Sequence, residues 1–132
     1  MGKPNIFVAN DNKDFLELMA ELLHDEGYEV TVLHASAHAY TEIKHAAPDL
    51  VILDMTLEHP DDGWAILQLL KLDPETVRIP VIICSAEVKL LTERQEQIAS
   101  LNCFAVEKPF DLVTLLEAIQ VALRVVAPLD PA

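Results

Sequence analysis

The sequence has few cysteines and no long apolar run. Its two cysteines, Cys84 and Cys103, are too few for a disulfide framework and have no metal-ligand spacing. Both fall in or beside apolar runs, so we expect them to be buried free thiols. No stretch approaches the roughly 20 apolar residues that a membrane-spanning helix needs. We therefore expect a cytoplasmic protein that needs neither disulfides nor a membrane.

Basic residues are also scarce, because 22 acidic residues face only 9 Lys and Arg, for a formal net charge of -13. Binding to phosphate backbones and anionic surfaces depends on Lys and Arg, so we expect no nucleic acid and no membrane as partners. The length of 132 residues, 52% of them hydrophobic, fits one domain with a real core. We expect a single domain over 1–132, with its core at about 5–126, a short flexible tail at 127–132 and no output domain after it.

Five short apolar runs alternate with amphipathic segments. The runs are Ile6–Ala9, Val30–Leu33, Leu50–Leu53, Val81–Cys84 and Phe104–Val106. Most are β-branched and apolar on both faces, which is typical of strands buried under helices on both sides. Five helices are predicted between and after them: one that stops at Gly27, then about 36–45, from after 63 to about 73, 87–100, and 111–126 with Asp111 as N-cap. This alternation predicts a doubly wound α/β domain with a parallel sheet.

Polar residues follow four of the predicted strands, where ligands bind in folds of this class. They are Asn10 and Asp11 after the first strand, Asp54 after the third, Ser85 and Ala86 after the fourth, and Lys108 after the fifth. Each has an ordinary explanation as a turn, a cap or a solvated surface residue. Asp54 is harder to explain in this way, because it ends a buried strand, where an unpaired carboxylate is costly.

Together these residues suit the capture of a phosphoryl group by a carboxylate. Aspartate can form an acyl phosphate, and transfer needs mainly positioning and charge neutralisation, which a metal and Lys108 would supply. Mg²⁺ takes one or two protein carboxylates, here Asp11 and Asp54, with the backbone carbonyl of Thr56 as a further expected ligand. The small side chain of Ala86 leaves space for the incoming group.

From about Asn5 to Ile119 the chain resembles the receiver domains of bacterial response regulators, including the single-domain chemotaxis type. The matching stretches, in order, are Ile6–Asp11, Gly27–Val30, Pro48–Asp54, Asp62–Gly63, Ile79–Ile82, Ser85–Ala86 and Lys108–Phe110. The resemblance implies a flavodoxin-like, five-stranded parallel sheet in the order 2-1-3-4-5 with five helices.

The resemblance also implies the site. Asp54 would accept a phosphoryl group from a histidine kinase or phosphotransfer protein, with Mg²⁺ on Asp11 and Asp54. Ser85, Ala86 and Lys108 would contact the phosphoryl group, while Thr56 and Glu87 would tune its lifetime. The face formed by the fourth helix, fifth strand and fifth helix would bind a downstream protein or a second copy of the chain. On the last helix, Val113, Val121 and Val125 lie opposite the core stripe, either as ordinary exposed residues or as part of such a surface.

Three departures from the family pattern bear on this reading. Asn10 stands where the family has an acidic residue, which should weaken Mg²⁺ binding, although that position commonly reaches the metal through water. The loop after Asp54, residues 55–63, is one residue longer than usual. Its His59, Asp61 and Asp62 could indicate metal binding or pH sensing, but we favour a solvated loop. Ala105 occupies the position of the aromatic switch residue. Either Phe104, which should point to the other sheet face, takes that role through a shifted register, or the switch works without an aromatic.

These features leave two main hypotheses. The first is a stand-alone receiver that catalyses only its own phosphoryl transfer and dephosphorylation, and that signals by protein contact. The second is a pseudo-receiver, a binding module that is never phosphorylated. A flavodoxin-like redox protein or small hydrolase would share the fold. It is disfavoured because the chain has neither a Gly-rich or Ser/Thr-rich phosphate loop nor a Gly-x-Ser-x-Gly turn.

Overall fold

The computed structural model describes residues 2–34, 38–55, 62–85, 88–93, 95–100, 103–107 and 111–126. The strands are β1 Asn5–Ala9, β2 Glu29–Leu33, β3 Leu50–Asp54, β4 Val81–Ser85 and β5 Cys103–Glu107. The helices are α1 Lys13–Asp25, α2 Ala39–Ala46, α3 Asp62–Leu72, α4 Val88–Glu93, α5 Gln95–Ser100 and α6 Leu112–Val126. The fourth predicted helix thus corresponds to α4 and α5, on either side of position 94, which lies outside the described residues. None of the described helices has the length and apolar character needed to cross a membrane.

The five strands form one parallel sheet in the order β2-β1-β3-β4-β5. This confirms the predicted α/β class and the strand order implied by the family resemblance. Each strand agrees with its apolar run to within one residue at either end. The order reverses between β1 and β3, so the carboxyl ends of these two strands form the switch point where ligands bind in such folds.

Two apolar clusters cover the two faces of the sheet. One contains Phe7, Leu53 and Ile83 from the strands and packs under α2, α3 and α5. The other contains Val8, Ile52 and Ile82 and packs under α1 and α6. Adjacent strand residues enter opposite clusters because successive side chains of a strand point to opposite faces. The molecule is therefore doubly wound, with β3 and β4 buried along their whole length.

The strand β2 is less covered than its sequence suggests. It lies at an edge of the sheet, none of its five residues is fully buried, and Val32 remains 44% exposed. An apolar run on both faces therefore does not correspond to full burial here, because an edge strand has a neighbour on one side only.

Capping interactions are found at three helix ends; those of Gly27 and Asp111 were predicted, and that of Asn12 was not. Asn12 caps α1 by accepting a hydrogen bond from the Phe15 N–H at 3.1 Å, and Asp111 caps α6 by accepting one from the Thr114 N–H at 2.7 Å. At the end of α1, Gly27 has φ +94°, which an L side chain rarely adopts. The Gly27 N–H donates to the His24 carbonyl, and the Tyr28 N–H donates to the Leu23 carbonyl, as in a Schellman motif.

Polar contacts hold the connection from α3 to β4, which lies at the amino ends of the strands, opposite the carboxyl end of β3. Asp73 accepts hydrogen bonds from the Tyr40 hydroxyl and from the Lys44 ammonium, the latter at 2.8 Å. These bonds lower the pKa of Asp73 to about 2, and the bond from Lys44 has the largest effect. Thr76, which is 1% exposed, donates its hydroxyl to the Leu70 carbonyl at 2.6 Å. The segment between the two elements is therefore fixed to both α2 and α3.

Candidate functional site

Asp54 is the last residue of β3 and lies between the ends of β1 and β4. Its side chain is buried, with only 3% exposure, although an aspartate is normally solvated. The following residue, Met55, is also buried and continues the ladder by donating its N–H to the Cys84 carbonyl at 3.0 Å. The backbone around Asp54 is therefore held on the β4 side.

Asn10 is the direct partner of Asp54 at the switch point. Its Nδ2 donates to Oδ2 of Asp54 at 3.1 Å, and Asn10 is itself only 5% exposed. The Oδ1 atom of Asn10 accepts the backbone N–H of Asn12 at 2.9 Å. The Asn10 N–H in turn bonds to the Leu33 carbonyl at 3.1 Å, so β2 holds the Asn10 backbone in place.

The other described members of the predicted set lie at the same edge. Asp11 occupies the bend between β1 and α1, with an exposed side chain. Ser85 ends β4, is 1% exposed and lies opposite Glu107 of β5 in the strand register. The fold thus brings Asn10 and Asp54 into contact and places Asp11 and Ser85 beside them at the carboxyl ends of the strands. Four further predicted residues lie outside the described ranges: Thr56, Ala86, Glu87 and Lys108.

Gly63, near the start of α3, packs against the backbone of Asp54 and Met55. A Cβ atom at position 63 would lie 2.5 Å from the Asp54 carbonyl oxygen, 2.8 Å from the Met55 carbonyl carbon and closer still to its Cα. The Gly63 N–H also bonds to the Met55 carbonyl at 3.2 Å. Gly63 therefore approaches the backbone of Asp54 at a contact that only glycine permits. From the sequence, Gly63 is expected only to match the family pattern and to precede a helix.

The donor set fits Mg²⁺. Among the described residues no cluster of three or more His, Cys, Asp or Glu side chains is placed to hold a metal ion. Mg²⁺ does not need such a cluster, since it keeps several waters and takes one or two carboxylates. Asp11 and Asp54 at one edge of the sheet meet that lower requirement.

Phe104 and Ala105 take opposite sides of β5. Phe104 is half-buried against the cluster under α1 and α6, whereas Ala105 is exposed. In the register, Phe104 pairs with Ile82 and Ala105 with Ile83, both before Ser85. Phe104 thus points to the face opposite that of Ala105, as strand alternation predicts, and its role in switching stays a prediction.

The two cysteines are buried thiols, as the sequence predicted. Cys84 pairs with Asp54 in the register between β4 and β3. Burial raises the pKa of the Cys103 thiol to about 11, and the nearby Lys71 ammonium opposes this rise. Both residues therefore serve first as core residues of the sheet.

Fold and site together define a class: a doubly wound α/β domain with a buried carboxylate at its switch point. The sequence model of the response regulator receiver domain matches residues 6–120, and the chain belongs to this family. Receiver domains act in two-component signalling, so the class is a signalling domain rather than a conventional enzyme.

The chain is similar to individual regulators over most of its length. It is 28% identical over 120 residues to sporulation initiation phosphotransferase F of Bacillus subtilis, covering 91% of this chain and 94% of that protein. It is also 28% identical to the DNA-binding regulator RpaA of Synechocystis, covering 92% of this chain. The chain spans 49% of RpaA and 14% of the relative RcaC of Microchaete diplosiphon, so it corresponds to only part of these proteins.

Solved structures show the same fold. The chemotaxis protein CheY4 of Vibrio cholerae superposes with a TM-score of 0.79 at 19% identity, covering 92% of this chain and 99% of that chain. NtrX of Brucella abortus gives a TM-score of 0.78 at 28% identity, covering 95% of this chain and 28% of that chain. The likeness to CheY4 is one of fold alone.

Proposed function

We propose that this receiver domain accepts a phosphoryl group on Asp54 from a histidine kinase or phosphotransfer protein and signals by protein–protein contact in the cytoplasm. One observation carries the proposal. The Asp54 carboxylate lies buried at the switch point of the sheet, 3.1 Å from the Asn10 amide, in a chain of the receiver family. A carboxylate is costly to bury, so one at this position calls for a functional explanation, and phosphoryl capture is its function in this family.

The transfer is a displacement at phosphorus. A carboxylate oxygen of Asp54 attacks, a new P–O bond forms, and the P–N bond to the donor histidine breaks. The electron pair of that bond returns to the imidazole nitrogen. Water later attacks the acyl phosphate, which releases inorganic phosphate and restores the carboxylate. The surrounding residues contribute positioning and charge neutralisation, because phosphoryl transfer demands little covalent chemistry from the protein.

Each predicted residue has a part in this chemistry. Asp11 and Asp54 would hold Mg²⁺, with the Thr56 carbonyl as a further ligand. When bound, the cation neutralises the charge that gathers on the phosphoryl oxygens. Further phosphoryl contacts would come from the Ser85 hydroxyl, the Lys108 ammonium and the backbone at Ala86, while Thr56 and Glu87 would control access of water. These residues come from the ends of different strands, as expected at such a switch point.

A place in a phosphorelay agrees with the relatives. The chain matches nearly all of sporulation initiation phosphotransferase F, whose name describes phosphoryl transfer. It also carries a formal charge of -13, which disfavours direct contact with DNA. A phosphotransfer protein and a downstream protein target are therefore the proposed partners. The face formed by the fourth predicted helix, β5 and α6 is proposed to bind the target or a second copy.

The direct test is incubation with acetyl phosphate and Mg²⁺ followed by intact-mass measurement. We expect a gain of one phosphoryl group that hydroxylamine removes, since it cleaves acyl phosphates, and no gain in Asp54→Ala. Asp25→Asn, at the far end of α1, is the matched control and should be phosphorylated normally. No mass gain at saturating donor and Mg²⁺ would refute the proposal.

A second candidate, the pseudo-receiver, is favoured by the same Asn10 contact. The amide gives the buried Asp54 a partner inside the protein, so the fold has no need of a cation at this position. Titration with Mg²⁺ while following Trp64 fluorescence separates the two, because Trp64 adjoins Gly63 beside Asp54. A saturable response together with phosphorylation excludes the pseudo-receiver. If a folded protein shows neither the fluorescence response nor phosphorylation, the pseudo-receiver is established.

A further inference from the structure

Asn10 presents a hydrogen-bond donor to the carboxylate of Asp54. Its Nδ2 lies 3.1 Å from Oδ2 of Asp54, and both residues are buried, at 5% and 3% exposure. A cation and an amide N–H bind the same kind of atom, since each is attracted to the negative oxygen of a carboxylate. The amide of Asn10 therefore occupies one of the two oxygens that Asp54 could offer to a cation.

The direction of this amide is set by the start of α1. The Oδ1 of Asn10 accepts the Asn12 N–H at 2.9 Å, which closes a turn of the Asx type. A backbone N–H can only donate and an ionised carboxylate can only accept. In the reversed orientation, the Asn10 NH₂ would face the Asn12 N–H and the Asn10 oxygen would face the Asp54 carboxylate, so neither hydrogen bond could form. The side chain of Asn12 makes a separate contact, because it caps α1 by accepting the Phe15 N–H at 3.1 Å.

We propose that Asn10 is a positioning residue that holds Oδ2 of Asp54 in the cation-free protein, so that a divalent cation reaches this oxygen only by displacing the Asn10 amide. Cation affinity is then limited by this competition in addition to the missing negative charge at position 10. The proposal deepens and rests on the function proposed above, since it concerns the same carboxylate and the cation that assists it.

The decisive variant is Asn10→Ser. A serine hydroxyl can accept the N–H two residues ahead, so the turn before α1 is kept, and the net charge is unchanged. The variant lacks the amide that reaches Asp54. We expect Mg²⁺ to bind about tenfold more tightly by isothermal titration calorimetry, because a hydrogen bond to a charged group no longer has to be broken.

Other accounts of Asn10 predict different outcomes for the same variant. If Asn10 matters only through its missing charge, the affinity of Asn10→Ser equals that of the wild type. If Asn10 helps to hold the cation through water, the affinity falls. Either result overturns the proposal, as does an absence of Mg²⁺ binding in both proteins, since the amide would then not be the barrier.

Two further variants serve as matched controls. Asn12→Ala removes the cap of α1 but keeps the backbone N–H that orients Asn10, so it should lower stability and leave Mg²⁺ affinity unchanged. Asn10→Asp removes the donor and adds a charge, so its affinity should exceed that of Asn10→Ser. An affinity gain in Asn12→Ala as large as that in Asn10→Ser would contradict the proposed role of the amide.

Nuclear magnetic resonance gives a readout that does not depend on affinity. The side-chain NH₂ signals of Asn10 are assigned by comparison, because they are present in the wild-type spectrum and missing from that of Asn10→Ser. In cation-free wild-type protein they should exchange slowly with solvent, and Mg²⁺ should shift them and speed their exchange. Rapid exchange before Mg²⁺ is added would overturn the proposal. These measurements use no phosphoryl donor, so a failure of phosphorylation alone would reject the proposed function and leave this result standing.

Discussion

The contact between Gly63 and the backbone of Asp54 leads to a quantitative prediction for Gly63→Ala. An added Cβ would lie 2.5 Å from the Asp54 carbonyl oxygen, against an ordinary contact distance of at least 3.4 Å, so one of the two must move by about 0.9 Å. Neither neighbour is a flexible side chain end, because the closest atoms all belong to the backbone of Asp54 and Met55. The displacement is therefore transmitted to the residue that carries the proposed nucleophile.

The expected loss of stability combines two opposing effects. Overpacking of this kind costs about 1–3 kcal/mol, whereas alanine is favoured over glycine in a helix by about 0.5–1 kcal/mol. The middle values of the two ranges leave a net loss of about 1.2 kcal/mol, which should lower the unfolding temperature by about 3–6 °C for a domain of this size. Phosphorylation by acetyl phosphate should slow by at least about tenfold, since a shift of about 1 Å at a reacting group can cost a hundredfold.

The assays are thermal unfolding by circular dichroism and a time course of intact mass with acetyl phosphate. The matched control is Gly27→Ala, where a Cβ meets nothing within 4 Å but φ is +94°. That conformation costs a non-glycine residue about 1–2 kcal/mol, so the control should lose similar stability and keep its phosphorylation rate. Wild-type stability and rate in Gly63→Ala would refute the reasoning. An equal loss of rate in Gly27→Ala would show that the effect is one of general stability.

Two further predictions concern the connection between α3 and β4. Because the pKa of Asp73 falls to about 2 in the folded protein, below its ordinary 3.8, its contribution to stability is complete above about pH 4 and is lost as the pH falls toward 2. Urea unfolding as a function of pH should therefore show a smaller decline over this range in Asp73→Asn, and an unchanged decline would contradict the assignment. Thr76→Val keeps the shape of a buried side chain but leaves the Leu70 carbonyl without its hydroxyl donor. It should lower the free energy of unfolding by about 1–3 kcal/mol in urea titrations, and no change would show that another donor replaces the hydroxyl.

Much of the fold could be predicted from short-range signals. The alternation of apolar runs with amphipathic segments identified every strand, and Gly27 and Asp111 marked helix ends through capping, which acts within about four residues of the cap. Asp54 also stood out from sequence alone, because a carboxylate at the end of a buried run requires an explanation. The order of the strands came from the family resemblance, because the apolar pattern specifies strands but not their neighbours.

The details of the site could not be predicted, because they join residues distant in the chain. Asn10 and Asp54 are 44 residues apart, and the sequence does not say which end of the amide faces the carboxylate. That direction follows from the backbone of Asn12 at the start of α1. The role of Gly63 likewise depends on the close approach of α3 to the end of β3.

The sequence by itself determined the class of domain, its elements and the carboxylate at its centre, because hydrophobic periodicity and capping act over a few residues. Only the tertiary structure decided that a donor faces Asp54 at the switch point, and that the helix behind it must carry a glycine near its start. Both depend on the distances between packed backbones, which no local pattern encodes.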